Sequence, residues 1–298
     1  MRTAYTLLCA LVLSTGACHA AEKWPERAVK IVVPNRAGNT GDIQARVIAG
    51  KLSAKWEKPV LVENRPNAEG VIAAGAIINA EPDGYTLLAA TTTMVGPNTH
   101  YNPQKAFAFV SLFARTDLFL VVSASSPIKS VRALIESRPK NYAASPFGQT
   151  IAGEELQRST EIGALRIPYG SEADSILAVV SGTVDYTFIL GANMRSTVLK
   201  DGQEVGLRAL AVLGTVRSSF LPDVPTIKEA GVADFRTRLA TGGLVAPAGT
   251  PQEVVRRISA DICEIVRDTE TKAAYEKFFS EAVCTSPEEY AAFAQSLR

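Results

Sequence analysis

At 298 residues, 47% of them hydrophobic and 20% charged, the chain is long enough for two α/β domains or one large one and has the make-up of an ordinary globular protein. With 31 Lys and Arg against 30 Asp and Glu, the formal net charge is +1. That balance excludes a strongly one-signed composition and gives no hint of nucleic-acid or membrane-surface binding. Low-complexity segments and internal repeats are absent.

The chain opens with Arg2 and the apolar run AYTLLCALVLSTGA, too short to span a bilayer comfortably, followed by ACHAAE. This reads as a secretory signal peptide over residues 1–20, cleaved after Ala20. The competing reading is a lipoprotein anchored at Cys18, against which Thr15 stands where such signals usually carry Leu. Cleavage removes Arg2 as the only charge, leaving a formally neutral chain, and removes Cys9 and Cys18. Cys263 and Cys284 then remain as the only cysteines in an oxidising compartment, which points to a disulfide; two half-buried thiols are the alternative. Val254, Ile258, Ile262 and Ile265 share one helical face, and Cys263 falls on its flank.

From residue 29 onward, strand-like and helix-like segments alternate: VKIVV, DIQARVIAGKL, PVLVEN, GVIAAGAIINA and YTLLAAT. That pattern predicts parallel sheet with crossover helices. After LFLVVSASSP the pattern restarts with SVRALIESR, NYAAS, IAGEELQRS, ALRIPY, ADSILAVVSG, VDYTFIL and LRALAVL. The polar stretch 123–127 therefore reads as a crossing into a second lobe, and a second crossing falls within RLATGGLVAPAGT. The expected division is a first lobe of 21–122 plus 242–298 and a second of 123–241, with hinge segments at 123–127 and 239–244. Thr250-Pro251-Gln252-Glu253 and Ser286-Pro287-Glu288-Glu289 each read as a capped helix start. The architecture expected is α/β, two doubly wound lobes joined by two crossing strands, with a cleft that closes by hinge motion.

Catalysis finds little support. Once the signal is removed His100 is the only histidine, and no Cys-x-x-Cys, His-Glu-x-x-His, Gly-x-Ser-x-Gly or Walker-type motif occurs. Asp42, Glu154, Asp174 and Asp185 are not paired by any spacing as acid and base. No enzyme activity, cofactor or metal is expected. More informative is VVPNRAGNTGD at 32–42, where a strand runs into a glycine-bearing turn and then a helix. Such a turn presents N–H groups to an anion, or it is a plain strand–helix connection in which Gly38 and Gly41 supply backbone freedom. Tyr169, Gly170 and Ser171 form a similar turn before ADSILAVV. Two such turns, one per lobe, would face each other across the cleft. Phe107, Phe109, Phe188 and Phe235 read as core residues.

Taken in order, WPERAVKIVVP, the loop ending in Gly41-Asp42, VENRPNAEG, PDGYTLL, IPYG, LRALAVL, LPDVPTIKEAG and LVAPAGTP resemble the extracytoplasmic solute receptors of tripartite tricarboxylate transporters, the Bug family of Gram-negative bacteria. The resemblance covers essentially all of the chain after the signal. It implies a fold like the type II periplasmic binding proteins and a monomeric periplasmic receptor. Such a receptor traps a small carboxylate and delivers it to membrane permease subunits, or docks on a membrane sensor, with no nucleic-acid partner; a degenerate receptor with altered ligand is a further reading.

By the same resemblance the ligand loop is Asn35, Arg36, Ala37 and Gly38, continuing through Asn39, Thr40, Gly41 and Asp42. It is faced by Tyr169, Gly170 and Ser171. Further walls match 67–70, 91–93, 145–150, 188–190 and 240–242, which brings in Ala68, Gly148, Thr150, Ile189 and Thr241. Thr92, Thr93, Ser145 and Gln149 are expected to set ligand orientation. The chain departs from the family pattern at several of these positions. Gly41 stands where a hydroxyl residue is usual, Glu69 where glycine is common, and Thr241 and Gly242 where bulkier residues are. Arg36 either clamps a second carboxylate or points into solvent.

Overall fold

The computed structural model describes residues 24–66, 70–97, 100–144, 149–191, 193–194, 199–200, 203–204, 206–236 and 240–297. The signal peptide 1–20, with Cys18, lies outside the described residues. The first elements are β1 (Val29–Val33), α1 (Thr40–Trp56), β2 (Val60–Asn64), α2 (Val71–Ile78), β3 (Thr86–Thr91), the one-turn helices α3 (Thr92–Val95) and α4 (Pro103–Ala106), and β4 (Phe107–Thr116). There follow β5 (Leu118–Ser123), α5 (Val131–Glu136), β6 (Asn141–Ala144), α6 (Gln149–Thr160), β7 (Leu165–Pro168), α7 (Glu172–Val180), β8 (Tyr186–Leu190), a small hairpin of β9 (Leu199–Lys200) and β10 (Gln203–Glu204), and β11 (Leu207–Val212). The chain finishes with β12 (Ala240–Pro247), α8 (Gln252–Ile265), α9 (Thr269–Glu276), β13 (Ser280–Ala282) and α10 (Pro287–Ser296).

Two mixed sheets result, a six-stranded one ordered β13-β4-β12-β3-β1-β2 and a five-stranded one ordered β11-β5-β8-β6-β7. Away from the edge strands β2 and β7 both are buried on both faces, which is why their central strands read as nearly continuous apolar runs. In the first, Val29, Ile31 and Val33 join one core with Leu52 and Ile258, while Val32 turns to another with Ile77 and Tyr290. In the second, Leu118, Leu120 and Val122 face one core and Phe119 and Val121 the other. This is the two-residue alternation of a strand, repeated on each sheet. The α/β two-lobe expectation is met.

The lobe boundary differs from the expected one. β4 belongs to the first sheet and β5 to the second, with only Asp117 between them. Residues 118–122, expected in the first lobe, therefore lie in the second. The polar stretch 123–127 is a loop at the far end of β5. Because β4 and β5 are both predominantly apolar, with Arg115, Thr116 and Asp117 the only polar run at their junction, no marked change of composition signals the true crossing. The return crossing precedes β12, whose Ala240 already pairs with Thr116 of β4; residues 237–239 lie outside the described residues.

Asp117 itself is buried, and its Oδ2 has no hydrogen-bond partner. Burial pushes its carboxyl above the ordinary value and the Glu281 charge adds to this, against opposing help from the Ser218 hydroxyl and the Arg115 guanidinium. Its carbonyl accepts from Gly191 N at 2.8 Å, tying the crossing to the end of β8.

The C-terminal helices pack on the first sheet. On α8 the residues Val254, Ile258, Ile262 and Ile265 are buried. Cys263, on the flank of that face, is bonded to Cys284 with a Cα–Cα distance of 5.2 Å across a separation of 21 residues. Ser286 forms a full capping box with Glu289 at the start of α10. Thr250 does not cap α8: its hydroxyl donates to Pro247 O at 2.8 Å, and the N-cap is Pro251.

Closing the Cys263–Cys284 loop is worth about 3 kcal/mol in the chain-entropy model. Cys263→Ala with Cys284→Ala should reduce the unfolding free energy by about that amount in a urea titration. Asp117→Asn should raise stability at pH 7 by on the order of 1 kcal/mol, because it removes a buried charge short of partners. A raised folded value means the folded protein binds the extra proton, so wild type gains stability as pH falls towards the ordinary aspartate value of 3.8. The Asn advantage should accordingly shrink with acidification, as thermal melts at pH 7 and pH 4 will register.

Candidate functional site

In the first sheet β1 and β3 are parallel, β12 is antiparallel to β3 and β4 is antiparallel to β12. The carboxyl ends of β1, β3 and β4 and the amino end of β12 therefore meet on one rim. In the second sheet the start of β5, the end of β8 and the residue after β11 meet likewise. Between these rims lies a cavity of about 330 Å³. Carboxyl ends of strands are where open α/β sheets hold ligands, since the connecting turns and helix starts converge there.

On the first-lobe wall, Asn35, Asn39, Thr40 and Gly41 come from the β1–α1 turn, Thr92 and Thr93 from α3, and Thr241 from β12. Thr92 Oγ1 lies 3.0 Å from Thr241 Oγ1 and accepts from Thr241 N at 2.9 Å, which fixes the β3 and β12 ends to each other. These seven belong to the expected set.

The turn owes its shape to Asp42. Its carboxylate accepts from Gly38 N at 2.8 Å, Asn64 Nδ2 at 2.7 Å and Arg46 Nε at 3.0 Å. Gly38 reaches it through a positive φ of 83° that L side chains rarely adopt. Burial opposes the Asp42 charge, but Arg46, Asn64 and Gly38 together hold the carboxyl below the ordinary value. Asp42 does not line the cavity; it shapes the turn from beneath. Arg36, Ala37 and Gly38 are exposed on the outer side of the turn and do not line the cavity either.

Sequence reasoning missed much of the wall. Gln44 is 4% exposed and sits at the floor, donating through Nε2 to Ser280 Oγ at 2.9 Å and Thr116 Oγ1 at 3.4 Å. Its signal was present, because Gln44 stands in register with Ile48 and Leu52 on a stripe that is otherwise apolar. Opposite, α6 contributes Ile151, Ala152, Glu154 and Glu155, and the segment before β12 contributes Phe235 and Arg236. The buried Glu155 is compensated by Arg158 at 2.6 Å and Arg236 N at 2.8 Å. Burial works against its charge, yet these donors keep it below the ordinary range. Phe235, expected as core, is buried and also lines the cavity.

Other expected residues are not brought here. Gln149 and Thr150 open α6 without lining the cavity, and Thr150 Oγ1 accepts from Arg166 at 3.3 Å. Ile189 is fully buried in the second-lobe core; Leu190 lines the cavity instead. Tyr169, Gly170 and Ser171 do not border it. Tyr169 packs against a second-lobe core, and Ser171 caps α7 by accepting from Asp174 N at 3.2 Å. The reason is strand order: β7 is the edge strand, two positions from β8, so its turn sits on the same rim roughly 10 Å further along. Ala68, Ser145 and Gly148, with Glu69, lie outside the described residues. Among the described residues no cluster of His, Cys, Asp and Glu could hold a metal ion, and no helix is long and apolar enough to cross a membrane.

The sequence profile of the tripartite tricarboxylate transporter family receptor matches residues 44–297. The chain belongs to this family. Protein BugT of Bordetella pertussis is 30% identical over 276 residues, 87% of this chain and 81% of BugT. MatC of Rhodopseudomonas palustris, solved with bound malate, is 26% identical with a TM-score of 0.77, covering 92% of this chain and 97% of MatC. R. palustris Rpa4515, solved with adipate, is 26% identical with a TM-score of 0.78, covering 92% and 94%. The family is one of solute-binding receptors, not enzymes.

At the glycine of position 41 a Cβ would stand 2.7 Å from Asn35 Oδ1, so a side chain there displaces the end of the Asn35 amide. Asp42→Ala should lower stability by about 2 kcal/mol at pH 7, since it orphans a glycine N–H and an amide and removes a charge. With the folded value lowered, this contribution is complete above the ordinary value of 3.8 and is lost as pH falls through the folded one. In denaturant titrations of both proteins at pH 7 and pH 2.5 the difference should therefore narrow at the lower pH.

Proposed function

We propose that this protein is a periplasmic receptor, exported by its signal peptide, which captures a small organic carboxylate by closure of its lobes and delivers it to a tripartite tricarboxylate-type permease. The observation that carries the reading is the interlobe cavity, with the amino end of a 17-residue helix on one wall and Arg236 on the other. Thr40 and Gly41 begin that helix on the cavity wall, where the helix dipole and unpaired N–H groups favour an anion. The Thr40 N–H makes no hydrogen bond among the described residues. Arg236 makes no ion pair there and is available to a carboxylate. The structures of MatC with malate and Rpa4515 with adipate support the same ligand class.

Closure about Asp117 and the segment before β12 brings the two walls together and excludes water from the anion. Calorimetric titration of the mature protein with mono-, di- and tricarboxylates should give at least one ligand in the micromolar range. Arg236→Ala should weaken it by about tenfold. A correctly folded protein that binds none at millimolar levels would overturn the proposal.

A further inference from the structure

Among the described residues three charged side chains line the cavity: Glu154, Glu155 and Arg236. Glu155 is neutralised by Arg158. Arg236 is the cation available to a carboxylate. Glu154 has no hydrogen bond or ion pair among the described residues, although it sits on the cavity-facing side of α6 beside Ile151 and Ala152. In the open cleft water solvates it. When the lobes close, an unpaired carboxylate facing a bound dianion would be desolvated and repelled at once, a combination that proteins avoid by pairing the charge.

An independent observation lies on the opposite wall. The Ser280 hydroxyl donates to Phe278 O at 3.1 Å and so receives the Gln44 Nε2 proton, which fixes the orientation of the Gln44 amide. Both donors of that amide are directed at Ser280 and Thr116. The carboxamide oxygen of Gln44 is left without a donor among the described residues, on a side chain that is 4% exposed and lines the cavity. That oxygen keeps some solvent contact in the open cleft, and an acceptor that closure takes from water calls for a donor.

Resting on the reading of this cavity as a carboxylate site, we infer that the ligand carries an ammonium group besides its carboxylate, received by Glu154 and by the carboxamide oxygen of Gln44. Neutral hydroxyls satisfy Gln44 but leave the Glu154 charge uncompensated; a cationic nitrogen satisfies both. Arg236 and the α1 amino end then hold the carboxylate, so that the cavity is dipolar and matched to a zwitterion.

Matched pairs test this: glutarate against L-glutamate and adipate against L-2-aminoadipate, titrated calorimetrically into wild type, Glu154→Gln and Gln44→Leu. In wild type at least one amino member should bind about tenfold or more tighter than its partner. Glu154→Gln, at an exposed position that folding does not depend on, should weaken the amino member and strengthen its partner until the two agree within about threefold. Gln44→Leu should reduce the same preference. Carboxylates that bind with no amino preference in wild type, or a preference that survives Glu154→Gln, would overturn this inference alone. Failure of every carboxylate to bind would overturn the proposed function and the inference with it.

Discussion

The buried carboxylate of Asp42 is the interaction on which the cleft depends. A strand that ends in a solvent-facing turn has no intrinsic reason to hold one shape, because the turn residues at 36–39 are exposed and contribute almost nothing to a core. Asp42 supplies the reason from beneath. It gathers a backbone N–H from the turn, an amide from β2 and a guanidinium from the next turn of its own helix. Hydrogen bonds to a charged acceptor are stronger than neutral ones, and here they link three separate segments. Asn64 extends the link by also donating to Asn35 O at 3.0 Å. The amino end of α1 is thereby aimed at the cavity by residues that do not themselves line it.

A second constraint is topological. A chain that builds two doubly wound sheets must cross between them, and this one does so with a single residue between β4 and β5 and again ahead of β12. β12 inserts between β3 and β4, so both crossings leave from neighbouring strands of the first sheet. Two crossings side by side permit rotation of one lobe against the other with little change elsewhere, which is the hinge geometry suited to capture. The carboxyl-end rims of the two sheets face the same gap because both crossings occur there. Fold and site position thus have one cause.

The sequence made the layered architecture legible because each sheet is covered on both faces, and such strands appear as short apolar runs separated by helical periods. The Ser286 cap and the Cys263–Cys284 bond were legible from local spacing and compartment. The β4–β5 boundary was not, since Asp117 is one acidic residue in sixteen otherwise strand-like positions and nothing local says that the hydrogen-bond partners change. The distance of Tyr169 from this cavity is not legible locally for a different reason. Its turn does follow a strand and precede a capped helix, but whether such a turn borders a cleft depends on the strand's place in the sheet, and β7 is an edge strand. Gln44 could have been found: a glutamine on the buried stripe of an amphipathic helix demands polar partners, and those are supplied by residues 72 and 236 positions away.

The same logic separates residues that hold the cavity from residues that read its contents. Asp42, Glu155 and the pair Thr92 and Thr241 have their polar atoms engaged by the protein, so they add shape and little information about the ligand. Gln44, Glu154 and Arg236 each keep an atom or a charge that nothing in the described fold satisfies. Buried or closing sites tolerate such groups only when an occupant completes them. On the function proposed above, selectivity in this cleft falls to the few side chains whose partners are missing, while the backbone turn that first draws notice in the sequence is the proposed anchor for the carboxylate.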